Sequence, residues 1–148
     1  MANYYPPVGF HFKVEVLGLS PSENDTRFSE VSGLSVELGT EDVPEGGENR
    51  FIQKYPNPPR YADLVLKRGL LLHSEVASWI NRAVTNFEIE PKNVDVKLLN
   101  EKHEPLMTWH FINAYPVKWM VSDFNASENA LVIETLQLNY QYFTLDRS

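Results

Sequence analysis

The sequence predicts a mainly β domain, an antiparallel sandwich or barrel of about six strands with one flanking α-helix and a long loop between strands 2 and 3. Three observations carry this. Apolar and polar residues alternate with a period of two in several separate segments. One segment alone shifts to helical spacing, and clusters of Gly, Pro, Ser, Asn and Asp mark the reversals between them. At 148 residues the chain is long enough to bury one core and short for two, so residues 1–8 read as an N-terminal arm and 9–148 as a single domain.

Each element has its own signature. Phe10, Phe12, Val14 and Val16 alternate with His11, Lys13 and Glu15, which predicts a half-buried strand. LGLSPSENDT supplies a turn. A second strand follows in RFSEVSGLSVEL, with Leu34, Val36 and Leu38 on one face and a bulge or bend at Gly33. YADLVLKRG gives a third, with Ala62, Leu64 and Leu66 on one face. The period then changes: Val76, Trp79, Ile80, Ala83, Val84 and Phe87 recur every three or four residues, predicting a helix over 74–87 with Val76, Trp79, Ile80, Val84 and Phe87 on the core. Ser74 is its expected N-cap, and Pro91 bars its continuation.

NVDVKLL and LMTWHFINAY form an expected hairpin through NEKHEP, and PVKWMVSDFNASEN reads as a second irregular connection. In the last strand, ALVIETLQLNYQYF, Leu136, Leu138, Tyr140 and Tyr142 share a face. Glu134 falls on the apolar side of that strand, which predicts a bulge or a fully covered stretch there.

Several functions are disfavoured. There is no cysteine, hence no disulfide framework and no thiolate metal site. His11, His73, His103 and His110 are scattered without the spacing of a metal pair, and no phosphate-binding glycine loop is present, so no cofactor is expected. A net charge of −7 argues against a nucleic-acid surface, and no apolar run is long enough for membrane insertion. The Asn-X-Ser/Thr matches at Asn24 and Asn125 read as chance in a chain that shows no secretory signal. Glu41, Asp42, Glu45 and Glu48 lie in a polar loop where nothing predicts the burial that tunes a catalytic carboxylate, so we expect no enzyme. A hydrolase using Glu41 or Glu48 stands only as a foil.

RFSEVSGLSVEL, YADLVLKRGLL, the Trp-bearing helix, LLNEKHEPLMTWHFINAYPVKW and SDFNASENALVIETLQLNYQYF resemble, in order and spacing, the tail-tube family. That family builds the inner tubes of contractile phage tails and of bacterial contractile injection systems, and is similar in fold to the tube protein of type VI secretion. The resemblance runs from about residue 9 to residue 143; LVLKRGL and AYPVKW…SDFNA…IETL are its most specific segments. It implies a hexameric ring whose subunits join strands into an inner barrel, and stacking of rings into a tube. Implied partners are further copies of the chain, adjacent tube rings, spike and baseplate proteins, and sheath. The implied setting is assembly in the bacterial cytoplasm into a particle that is released or membrane-anchored. YYPPVGFHFKVEV and NYQYF resemble the tube-initiator paralogue beside the spike more than the repeating subunit.

The resemblance also implies that the loop between the second and third strands touches an adjacent ring or subunit. A contact along the axis does not close on itself and so builds a filament. Glu41, Asp42, Glu45, Glu48, Arg50, Lys54 and Arg60, around the apolar centre Phe51, Ile52 and Tyr55, offer that contact. Pro44, Pro56, Pro58 and Pro59 limit the loop's freedom before docking and so lower the ordering cost. The alternative is a monomeric β-barrel module that binds a carbohydrate or apolar ligand through Trp109, Trp119 and Phe124.

Overall fold

The computed structural model describes residues 10–43, 46, 53–123 and 132–147. The N-terminal arm, residues 1–8, lies outside them, as do Pro44, Glu45, Glu48, Arg50, Phe51, Ile52, Phe124 and Asn125. The strands in chain order are β1 (His11–Val16), β2 (Arg27–Phe28), β3 (Glu30–Ser32), β4 (Val36–Val43), β5 (Gln53–Tyr61) and β6 (Leu64–Gly69). Helix α1 (Glu75–Asn86) precedes β7 (Lys92–Leu99), β8 (Pro105–Val121), β9 (Ile133–Asn139) and β10 (Tyr142–Arg147). A short 3-10 turn, Glu23–Thr26, leads into β2. All described strand pairs are antiparallel, as expected, but the expected strands break into shorter segments.

One long strand organises two layers. The first half of β8 pairs with β7 on one side and β10 on the other, and β7 leads on to β1 and β2. The second half, from Tyr115, pairs with β9, which leads on to β6 and β3. The strand changes layer where Asn113 takes a left-handed φ of 53° and the register slips between Pro116 and Lys118. Bulges at such corners are how a strand serves two sheets. PVKWMV is therefore strand and not an irregular connection; Pro116, which lacks an N–H, is accommodated at the bulge.

The core lies between the layers. Val14, Val16, Val94, Val96 and Phe111 meet Leu64, Leu66, Leu136 and Leu138, and Val76, Trp79 and Ile80 of α1 join them. Ser74 caps α1 as predicted, its hydroxyl accepting from the Ala77 amide at 2.9 Å. The helical stripe is narrower than expected. Val84 is 61% and Phe87 82% exposed, so neither belongs to the core. Ala83 takes the buried position of the last turn, and Phe87 is already the left-handed C-cap, where the backbone turns its ring away.

Two further expectations change. At Tyr140 and Gln141 the chain crosses from the second layer to the first, which shifts the alternation: Phe143 packs on the core and Tyr142 is exposed. Gly33 is a bend, as expected, with φ of 86° and a virtual Cβ only 1.9 Å from the Asp63 carbonyl oxygen. Beyond it Val36 and Leu38 leave the core, because among the described residues β4 pairs only with β5 and the two form a separate two-stranded hairpin.

Candidate assembly surface

The 39–61 segment is not an irregular loop. It contains most of β4 and all of β5, paired from Val36↔Tyr61 to Val43↔Gln53 with a bulge between Leu38 and Thr40. Its prolines hid this in the sequence, since proline is rare in central strands but acceptable where a strand edge faces solvent. Nearly every described hairpin residue is exposed, Leu38 at 63%. Glu41, Asp42, Lys54, Tyr55 and Arg60 all lie on it, with Asp42 opposite Lys54 and Glu37 opposite Arg60. Val36, Leu38, Thr40 and Asp42 share a face with Tyr61, Pro59, Pro56 and Lys54 by their register. The structure thus brings an apolar strip and alternating charges onto one projecting arm.

A two-stranded hairpin alone is marginal in water. Its base is anchored: the Ala62 amide donates to the Ser35 carbonyl, and Tyr61 packs edge-on against Phe143 with centroids 5.1 Å apart. Tyr140 donates its hydroxyl to the Ala62 carbonyl at 2.6 Å. Burial, with the Asp63 charge and Tyr61 beside it, pushes that phenol up to about 12. The root of the hairpin is therefore fixed to the core, while its length reaches outward.

A second surface lies over α1. Leu71, Leu72, Ile80, Val84 and Trp119 help line a groove with a cavity of about 680 Å³. Trp119 is half-exposed on β8 whereas Trp109 is interior, so these two do not converge on one ligand groove; Phe124, the third residue of that alternative, lies outside the described residues.

Sequence reasoning missed a buried polar network beneath this groove. Arg68 donates from Nε to Glu134 at 3.0 Å, from Nη1 to the Asp25 carboxylate and carbonyl at 2.9 and 2.8 Å, and from Nη2 to the Ser74 hydroxyl at 2.8 Å. Asp25 also accepts the Ser74 hydroxyl and the amides of Glu75 and Val76, the first donors of α1. Glu134 accepts the Trp119 indole at 2.8 Å. Burial alone would raise the Asp25 carboxyl, but hydrogen bonds from Ser74, Val76 and Arg68 hold it below its ordinary value. Glu134 therefore needs no bulge: its stretch is fully covered, and Arg68 satisfies it. The available signal was a base and an acid each at a core-facing position, Arg68 after Leu64 and Leu66, and Glu134 before Leu136 and Leu138. Among the described residues every buried side-chain nitrogen and oxygen has a hydrogen-bond partner, so the cluster is suited to holding elements together.

His11, His103 and His110 each have a close partner. His11 Nε2 and His103 Nδ1 are 2.8 Å apart, and His110 Nδ1 lies 2.7 Å from Asp95. Among the described residues no group of three or more His, Asp or Glu is arranged to hold a metal, and no helix is long and apolar enough to cross a membrane.

Comparison with known proteins gives this geometry a context. A chain in the cryo-EM structure of the anti-feeding prophage baseplate, six-fold symmetrised, superposes with a TM-score of 0.83 at 30% identity, covering 99% of this chain and 98% of that one. A chain of the sheath-tube complex of the PVC extracellular contractile injection system in its extended state gives 0.78 at 26% identity, covering 98% and 94%. Hcp1 from Flavobacterium johnsoniae shares the fold alone, at 0.55 and 17% identity over 93% of this chain and 96% of its own. A search of curated protein sequences found no significant match. Residues 8–144 match the model of the family described as T4-like virus tail tube protein gp19, and the chain belongs to that family.

Proposed function

We propose that this chain is a structural subunit of a contractile injection system or phage tail, forming a hexameric ring of the inner tube. The observation that carries the reading is the β4–β5 hairpin, a long, charged and partly apolar arm that pairs with no other described strand of its own chain. In a tail-tube family member such an arm is suited to contact a neighbouring ring or subunit, through Glu41, Asp42, Lys54, Tyr55 and Arg60 and, beyond the described residues, Glu45, Glu48, Arg50, Phe51 and Ile52. Its partners are then further copies, adjacent rings, spike or baseplate proteins, and sheath. Greater likeness to a chain from a baseplate structure than to one from a sheath-tube complex favours the initiating ring at the base of the tube. The family match and the likeness to chains of tube and baseplate structures support a structural rather than an enzymatic reading.

Light scattering on the purified chain tests this. A species of six 17.0 kDa subunits, or longer tubes, is expected, and a strict monomer at high concentration overturns the reading. Deleting residues 43–57 leaves a folded domain that no longer stacks; normal tubes from that deletion would remove the hairpin from the account. Copy number by mass spectrometry separates the two positions, about six per particle for an initiator and many for the repeating ring.

A further inference from the structure

We infer that the cavity between the start of β1 and the β7–β8 turn is a binding site for a small tetrahedral oxyanion, inorganic phosphate or sulfate. The site is built within one chain and does not depend on the assembly reading above.

Three cations lie side by side across three strands. Lys13 on β1 stands directly opposite Arg27 on β2 and directly opposite Lys97 on β7, so the three side chains share one sheet face. Like charges in directly opposite positions destabilise a sheet, and here they gather in a chain whose net charge is −7. Two carboxylates answer the row. Glu15 lies 3.4 Å from Lys13 Nζ and 3.3 Å from Lys97 Nζ, and Glu23 lies 2.9 Å from Arg27 at the surface. Burial alone would raise the Glu15 carboxyl, but its bonds to Lys97 and Lys13 hold it below its ordinary value. Three bases thus meet two acids, and one positive charge is left over.

The cavity opens on the flank of the row away from Glu15. Glu15 follows Lys13 by two residues on that face, and His11 precedes it by two. His11, Lys13, Arg27, Lys97 and His103 line a cavity of about 160 Å³, and Glu23 is the one acid among its described lining residues. Across it, the His11 and His103 rings stand at 72° with Nε2 and Nδ1 2.8 Å apart. One imidazole donates in that bond and the other accepts, so a proton on both nitrogens breaks it and leaves two N–H donors beside the lysines. The other charges nearby are outside the lining: Glu101, Lys102 and Glu104 on the turn that carries His103, and Asp146 on β10, opposite the Thr108 that faces Lys97.

The ligand class follows from these donors and this volume. Lysine ammonium groups bind phosphate-type oxygens as point charges. Donors come from the cation row on one side and the histidines on the other, which suits an anion with oxygens in several directions better than a planar carboxylate. The cavity has the volume of about five waters at about 30 Å³ each, enough for the anion and part of its hydration but not for the body of a nucleotide. A bound dianion would offset the leftover charge and tie β1, β2 and β7 to the β7–β8 turn.

The experiment is calorimetric titration and thermal melting of the whole chain in sulfate against chloride at equal ionic strength; sulfate keeps one charge state between pH 8 and pH 6. The wild-type chain is expected to bind sulfate saturably and to melt higher in it. Lys13→Met and Lys97→Met, which keep the apolar stems, are expected to lose at least about tenfold in affinity, while Lys102→Met binds as wild type does. Sulfate also stabilises proteins by exclusion from their surfaces, so an equal rise in melting temperature for wild type and Lys13→Met would show that general effect alone and overturn the site. In chloride, Lys13→Met is expected to melt no lower than wild type, because it removes the central charge of the row; a clearly lower melt overturns the repulsion on which the inference rests. Sulfate binding is expected to tighten from pH 8 to pH 6 in wild type and not in His103→Ala, and a pH-independent affinity removes the histidines from the site. Inorganic phosphate is expected to bind as well as phenyl phosphate or better, and tighter binding of the monoester overturns the free anion as the occupant.

Discussion

Arg68 and Glu134 stand directly opposite each other on β6 and β9, 3.0 Å apart from Nε to Oε2, and both are almost wholly sealed from water. Asp25, on the 3-10 turn, holds the same guanidinium from another side, and the Arg68 guanidinium carbon lies 4.6 Å from the centre of the Phe28 ring. The carboxylates outnumber the base, and the first amides of α1, with their partial positive charge, offset the excess at Asp25. The result ties the helix start to both layers.

Removing Arg68 strands two buried carboxylates. Arg68→Ala is expected to cost about 3–5 kcal/mol, the usual penalty for breaking a buried ion pair from one side. Urea unfolding monitored by tryptophan fluorescence measures it, and a loss below about 1 kcal/mol would mean that water reaches the cluster.

Asp25 gives the chain an acid sensitivity of definite sign. Its native carboxyl titrates below the ordinary 3.8, so the folded form holds the ionised state more firmly than the unfolded one does. The stabilisation is complete above 3.8 and is lost as the pH falls through the lower native value. Asp25→Asn should flatten this part of the pH-stability curve while lowering stability at neutral pH; a curve of unchanged shape would assign the acid response elsewhere.

The helix offers a contrast between neighbours. Trp79→Ala removes a buried ring whose indole also donates to the Glu90 carbonyl at 2.9 Å, and should cost about 3–5 kcal/mol. Val84→Ala, on the groove side, should stay within about 0.5 kcal/mol. Thermal melts of the two variants decide whether the buried stripe ends at Ala83.

Phe87 holds a left-handed C-cap at φ of 55° with most of its ring in water. Phe87→Gly should therefore stabilise the domain by about 0.5–1 kcal/mol, since glycine adopts this conformation without steric strain. A lower melting temperature would show that the ring makes a contact worth more than the backbone strain.

Gly33→Ala should act in the opposite direction. Its Cβ would meet the Asp63 carbonyl oxygen in a backbone that already favours glycine, so a loss of at least about 1–3 kcal/mol is expected in a melt.

What the sequence determined by itself were the local periods. The alternation in β1, β6, β7 and β9, the Ser74 cap, the reversal at NEKHEP and the place of α1 could all be read because each depends on residues a few positions apart. The family resemblance was legible too, in segments that span both layers. Tertiary structure decided what strand edges do. Prolines that look like loop residues sit within β5, which among the described residues pairs with β4 alone, and a strand interrupted by Pro116 continues because its bulge carries it between layers. Whether Arg68 meets solvent or Glu134, and whether Leu38 meets a core or solvent, depends on partners elsewhere in the fold, and a period of two specifies only that a side chain points to one face, not what waits there.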